Sequence, residues 1–209
     1  MSIKPVKAEA VVDNRLDVQQ PLDYSFKAIG TFHGKSITEL PLDEDELAAD
    51  DSTETVDLDI TASTSRALLL NNNRLGFWDE FSETLRRLFV DHTSHLCWLD
   101  LALNELRTID PCILELKNLT MLYLHGNNIG RIADVDKLSR LGRLKTLTLH
   151  GNPIESNAGY RQYIICHLPQ LLTFDFSGIT KSDRATADTW RTMIAPPPKK
   201  GKRKTETAE

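Results

Sequence analysis

The sequence predicts an α/β solenoid, a curved stack of short strands joined by helical return segments. Three observations predict it. One eleven-position string, L-x-x-L-x-L-x-x-N-x-[L/I], occurs complete at Leu96-Leu99-Leu101-Asn104-Leu106, at Leu119-Leu122-Leu124-Asn127-Ile129 and at Leu144-Leu147-Leu149-Asn152-Ile154. A further copy, with Ser65 in the first slot, runs through Leu68, Leu70, Asn73 and Leu75. The asparagines are 31, 23 and 25 residues apart, room for one strand and one return per copy. Apolar residues concentrate between Leu68 and Phe176, and a unit of this size buries its apolar side only against its neighbours.

The string is the leucine-rich-repeat signature. It predicts a short horseshoe of four to five repeats with helical returns and a C-terminal cap, over residues 64–154 for the repeats and 155–195 for the cap. A length of 209 residues leaves room for one such domain with tails. Charged residues interrupt the first twenty positions and no long apolar run occurs anywhere, so neither a signal peptide nor a membrane span is expected. Three scattered cysteines, Cys97, Cys112 and Cys166, make a poor disulfide framework and point to a cytoplasmic protein with small buried thiols.

Along the chain, residues 1–20 are polar, without periodicity, and are expected to be disordered. Residues 21–33 form an aromatic leader with Tyr24, Phe26, Ile29 and Phe32. Two destinations stay open for it: another protein, or the exposed N-terminal edge of the stack. Tyr24 and Phe26 are accordingly partner-binding candidates, and the leader is expected to order on binding, because its few aromatics bury little surface by themselves. Residues 34–63 read as an acidic linker; positions 41–60 carry nine acids and no lysine or arginine.

Within the repeats, Leu-x-Leu side chains share one side of each strand, so leucines of successive turns stack in a column. The asparagines sit where strand bends into return and are expected to form a buried ladder that satisfies backbone groups. The long first return, Phe77 to Val90, has apolar residues at 78, 81, 85, 88 and 89, the spacing of an amphipathic helix. Asp110-Pro111 reads as the start of a short helix, and Ala133–Arg143 as another helical return. In the cap, a helix over Ala158–His167 precedes Leu171-x-x-Phe174-x-Phe176-x-x-Ile179, a repeat with aromatics in the leucine slots. A last helix, Lys181 to Ile194, packs Trp190 back on the body, and a basic tail closes the chain at 196–209. Three uses stay open for that tail: a solubilising end, an anchor on an acidic partner such as a tubulin tail or RNA, or a nuclear address.

Positions three, five and seven of the string point away from the leucine column and tile the concave face of the horseshoe, where other proteins are expected to bind. These positions place Leu69, Trp98, Met121 and Tyr123 in one apolar cluster, with Asp100, His125, Thr148 and His150 beside it. These eight, with Tyr24 and Phe26, are the candidate partner-binding residues, since an exposed apolar patch rimmed by polar groups marks a contact surface. In the alternative arrangement the leader folds back over the cluster and makes it core. His125 and His150 share a column, but the column supplies no third ligand, so no metal is expected. No nucleophile elbow and no glycine-rich phosphate loop occur, so no enzymatic activity, cofactor or small-molecule substrate is expected.

The stretches Leu149-His150-Gly151-Asn152-Pro153, Tyr160-Arg161-Gln162-Tyr163, Leu168-Pro169, Phe174-Asp175 and Ile179-Thr180 resemble the C-terminal cap of an intracellular leucine-rich-repeat family. Its members include phosphatase-regulator, U2 small-ribonucleoprotein A-prime and axonemal dynein light-chain types. Pro21-Leu22-Asp23-Tyr24-Ser25-Phe26, Leu70-Asn71-Asn72-Asn73, Leu122 to Asn127 and Thr173 to Gly178 narrow the likeness to a group of small proteins of ciliated cells. The resemblance implies a non-enzymatic scaffold, a structural or adaptor component of the ciliary axoneme, that binds axonemal or microtubule-associated proteins. The competing readings are a ribonucleoprotein-associated protein and a phosphatase regulator. Direct contact with nucleic acid is not expected, because the outward positions are not basic.

Overall fold

The computed structural model describes residues 20–32 and 63–194. The expectations for residues 1–20, 34–63 and 196–209 lie outside that set, apart from Gln20 and Ser63. The described chain builds one seven-stranded sheet in sequential order: β1 (Leu22–Asp23), β2 (Ala67–Leu69), β3 (Trp98–Asp100), β4 (Met121–Tyr123), β5 (Thr146–Thr148), β6 (Thr173–Phe174) and β7 (Ser177–Gly178). All pairings are parallel except β6 with β7. Leu68, Leu99, Leu122, Leu147 and Phe174 stand in register and are buried, the leucine column that period-two alternation predicts.

The asparagine ladder explains why that residue recurs. Each side-chain N–H group donates to a carbonyl three residues back and to its counterpart one turn earlier. Asn127 Nδ2 donates to Leu124 at 3.0 Å and Leu101 at 2.9 Å, and Asn152 Nδ2 to Leu149 and Leu124, both at 2.8 Å. The amide oxygen accepts from the preceding turn, Asn127 from Leu106 N–H and Asn152 from Ile129 N–H. One side chain thus satisfies backbone groups of two turns at the bend where no strand ladder reaches.

The residue before each asparagine takes left-handed backbone: Asn72, Leu103, Gly126 and Gly151 have φ of 57°, 54°, 65° and 69°. Glycine suits this backbone at Gly126, and a Cβ there would also displace the exposed tip of Leu103, whose Cδ2 lies 2.5 Å from its place.

Return length decides return type. The 31-residue interval holds an α-helix, α1 (Phe81–Leu88), burying Phe81, Leu85 and Leu88, followed by the single turn α2 (His92–His95). The shorter intervals return through 3₁₀ segments at Pro111–Glu115 and Ile132–Arg140, where a larger rise per residue spans the same width with fewer residues. Asp110 caps the first of these by accepting from Cys112 N–H at 2.9 Å.

The leader corrects the expectation of binding-induced order. β1 adds to the edge of the sheet, with Tyr24 N–H donating to Leu69 O at 2.8 Å, and Tyr24, Ile29 and Phe32 are buried. Phe32 meets the Phe81 ring edge-on at 5.0 Å and stacks near Trp78, and its carbonyl accepts from the Thr84 hydroxyl. The leader's own aromatics are few, but they close a large apolar end already formed by α1 and the first leucines. That shared burial, rather than the leader's area alone, offsets the entropy of ordering it.

The other end is closed by α3 (Tyr160–His167) and α4 (Lys181–Ile194). Thr180 and Asp183 form a reciprocal cap at the start of α4, with Asp183 N–H donating to Thr180 Oγ1 at 3.1 Å and Thr180 N–H to Asp183 Oδ2 at 2.9 Å. Trp190 lies against Gly159, where a Cβ would come within 2.3 Å of its indole nitrogen. Among the described residues no helix is long and apolar enough to cross a membrane.

Candidate protein-binding face

The sheet has an inner face of leucines, and an outer face that no described return or helix covers. Leu69, Trp98, Asp100, Met121, Tyr123, His125 and His150 all lie half-buried on this outer face. Trp98, Met121 and Thr146 are in register, as are Leu69, Asp100 and Tyr123. Rings join across the strands: Trp98 meets Tyr123 edge-on at 6.0 Å, and Tyr123 meets Phe176 edge-on at 5.7 Å. The leader sits at the sheet edge beside β2 and leaves this band open, which settles the two arrangements the sequence left open for the cluster.

Three sequence expectations change. Tyr24 presents no surface to a partner; it is 5% exposed, and burial raises its phenol pKa. Thr148 is fully buried, because His125 lies over it with Nδ1 at 2.9 Å from its hydroxyl. Phe176 is not a core residue in a leucine slot but is 62% exposed on the outer face. Asp175 and Phe176, with φ of 48° and 58°, form a two-residue turn between antiparallel β6 and β7, which carries the Phe176 ring to Tyr123, His125 and His150.

Asp175 holds that turn. In earlier turns a strand residue donates to a carbonyl of the next strand, as Leu101 N–H does to Tyr123 O and Leu124 N–H to Thr148 O. At the last full strand, Leu149 N–H and His150 N–H donate instead to Asp175 Oδ1, at 2.6 and 3.0 Å, and Tyr160 donates its hydroxyl to Oδ2 at 3.0 Å. A carboxylate ends the ladder where the short parallel pairing with β6 stops and the chain turns back into β7. Burial, and then the neighbouring Asp175 carboxylate, push the Tyr160 pKa up.

The His125 and His150 rings stack at 4.7 Å, only 8° from parallel. Burial first, then His150, lowers the His125 pKa and favours neutral imidazole. An ion in the plane of one ring lies out of the plane of the other, so the pair is not a chelate. Among the described residues no group of three or more histidines, cysteines or acids is placed to hold a metal. The cysteines are half-buried rather than fully buried, and burial raises the thiol pKa of Cys112 and Cys166, which keeps them protonated.

Phe26 is 74% exposed and Leu103 48%, both at the left-handed position before the ladder. Glycine serves there in later turns, so two bulky apolar side chains stand in strained backbone along the loop rim of the face. Trp98 Nε1 is buried without an acceptor among the described residues.

Parallel strands in leucine register, an asparagine ladder and a capped end define the class: a leucine-rich-repeat protein, and a leucine-rich-repeat family model matches residues 94–196. Leucine-rich repeat-containing protein 51 of Rattus norvegicus is 42% identical over 184 residues, 87% of this chain and 90% of the relative. Its Bos taurus counterpart is 50% identical over 137 residues, 66% of this chain and 71% of the relative. The chain belongs to the leucine-rich repeat-containing protein 51 family. Among solved structures, a chain of the Drosophila melanogaster SNF/U2A′ complex is similar at a TM-score of 0.52 and 28% identity, covering 61% of this chain and 68% of that one.

Proposed function

We propose that the protein is a non-enzymatic interaction scaffold, a short leucine-rich-repeat horseshoe that grips a partner protein with its concave face, the outer face of its sheet. One observation carries the reading: the band of rings from Trp98 through Tyr123 to Phe176, flanked by Met121 and Leu69, lies uncovered by any described element. Burying one such ring contributes roughly 1.5–3 kcal/mol, so Trp98→Ala or Tyr123→Ala weakens a partner by about tenfold to a hundredfold. Likeness to small repeat proteins of ciliated cells supports a structural or adaptor place in the ciliary axoneme. The partners there are axonemal or microtubule-associated proteins.

The second reading is a ribonucleoprotein-associated scaffold, favoured by the likeness to a chain of the SNF/U2A′ complex. The outer face argues against direct RNA contact, since its registered columns carry Asp23 and Asp100 but, among the described residues, no lysine or arginine. Immunolocalisation separates the readings: signal along the ciliary shaft supports the first, nuclear speckles the second, and diffuse cytosolic signal contradicts both addresses. Recovery of the same partners from ciliated cells by wild-type protein and by a Trp98→Ala/Tyr123→Ala double variant would contradict the docking face itself.

A further inference from the structure

Asp23 and Asp100 occupy one register column on either side of Leu69. Tyr123 follows Asp100 in that column, and Trp98 precedes it by two residues on the same strand face. Each carboxylate accepts one backbone N–H, Asp23 from Ser25 and Asp100 from Ala102, both at 2.9 Å. Neither has a cation within ion-pair distance among the described residues. Arg66, at the start of β2, directs its guanidinium to Cys97 Sγ at 3.1 Å. Burial chiefly, and Asp23 as well, raise the Asp100 pKa, against the Ala102 N–H that lowers it, and among the described residues no cation adds to that one hydrogen bond.

The C-terminal half of the same molecule shows the contrast. Asp175 takes two backbone N–H groups and the Tyr160 hydroxyl; Asp134 pairs with Lys137 at 2.9 Å; Asp136 accepts from Tyr163; Asp183 holds Thr180 and faces Arg161 at 3.5 Å. At the N-terminal end of the outer face two carboxylates stand beside the half-buried Trp98 and Tyr123 rings without such partners among the described residues. Ring faces and carboxylates favour the same ligand, a cation. The apolar rim of Phe26 and Leu103 beside them favours hydrocarbon on either side of it.

We propose that the N-terminal half of the outer face docks a basic segment of a partner protein, an arginine or lysine flanked by apolar residues, with the cation set between Asp23, Asp100 and the Trp98 and Tyr123 rings. This rests on the protein-binding reading above and names the partner's chemistry. RNA is disfavoured, since phosphates meet the same two carboxylates.

The test uses the full chain, isotopically labelled and read at the Trp98 indole N–H signal, assigned with Trp98→Phe. The probes are a synthetic nonapeptide with two arginines flanked by leucines and its twin carrying citrulline, neutral but nearly isosteric. The arginine peptide is expected to move the Trp98 signal and bind about tenfold or more tighter than the citrulline twin. Asp100→Asn, and separately the exposed Asp23→Asn, are expected to reduce the difference between the two peptides, with the folded far-ultraviolet spectrum retained. Equal binding of both peptides, lost in Tyr123→Ala, overturns the cation assignment and leaves the docking face standing. No perturbation by either peptide overturns the cation assignment, and together with partner capture indifferent to Trp98→Ala/Tyr123→Ala it overturns the docking face as well. A Trp98 signal that shifts on deletion of residues 195–209 without any probe, or on self-association seen by sedimentation, makes the occupant this chain's own basic tail or a second copy, and overturns the partner assignment.

Discussion

Leu122 has Leu99 in register on one side and Leu147 on the other, whereas Leu22, among the described residues, has Leu68 on one side only. The two turns share geometry but not sequence. Asn73 Nδ2 donates to Tyr24 O as Asn104 Nδ2 does to Leu70 O, and Ile29 N–H reaches Asn73 Oδ1 as Leu75 N–H reaches Asn104. Leu22-x-Tyr24-x-x-Lys27-x-Ile29 therefore follows the spacing of Leu68-x-Leu70-x-x-Asn73-x-Leu75, with lysine in the asparagine slot. The ladder asparagine serves the turn before it, and the leader has no described turn before it. Part of what the asparagine does is absent where no described turn precedes, and there lysine stands in its slot.

That difference can be broken from either side. Phe32→Ala should cost the most, about 3–5 kcal/mol, because it empties the contact between leader, Phe81 and Trp78; a urea midpoint close to wild type would detach the leader from the cooperative fold. Asn127→Ala should cost about 3 kcal/mol, as it strands the carbonyls of Leu101 and Leu124 and the N–H of Leu106. Lys27→Ala at the equivalent place in the first turn should stay within about 0.5 kcal/mol in the same assay, and equal losses at the two positions would end the distinction.

Phe26→Gly sharpens the contrast between fold and face. It relieves left-handed strain of about 1 kcal/mol, partly offset by the freedom glycine gains in the unfolded chain, so stability should hold or rise slightly. Partner binding should fall at the same time, and a matched loss of both would make Phe26 a structural residue.

The smallest effect is electrostatic. Burial lowers the folded-state pKa of His125, so the unfolded chain takes a proton that the folded chain resists. This residue favours the folded state above the ordinary imidazole value of 6.5 and loses that contribution as pH falls through it. The urea midpoint of His125→Gln should fall less between pH 8 and pH 5.5 than that of the wild type, and parallel declines would contradict the assignment.

Much of this was legible in the residues. The leucine and asparagine columns follow from spacing alone, and α4 spans the Lys181–Ile194 range the sequence suggests. What spacing does not carry is cover. Period two places Thr148 on the outer side of its strand but says nothing of the imidazole that lies over it. Phe176 sits where a leucine is expected, and the Asp-Phe turn lacks the glycine or asparagine that advertises left-handed backbone. Tyr24 and Ile29 carry the repeat spacing into the leader, but Lys27 in the asparagine slot masks it.

Amide hydrogen exchange on the isolated full chain tests the central claim most directly. If residues 22–32 form the opening turn of the stack, the N–H groups of Tyr24 and Ile29, bonded to Leu69 O and Asn73 Oδ1, exchange on the slow timescale of Leu70 and Leu101 without any partner present. Exchange of those two amides as fast as in an unstructured peptide, with Leu70 and Leu101 still protected, would contradict it.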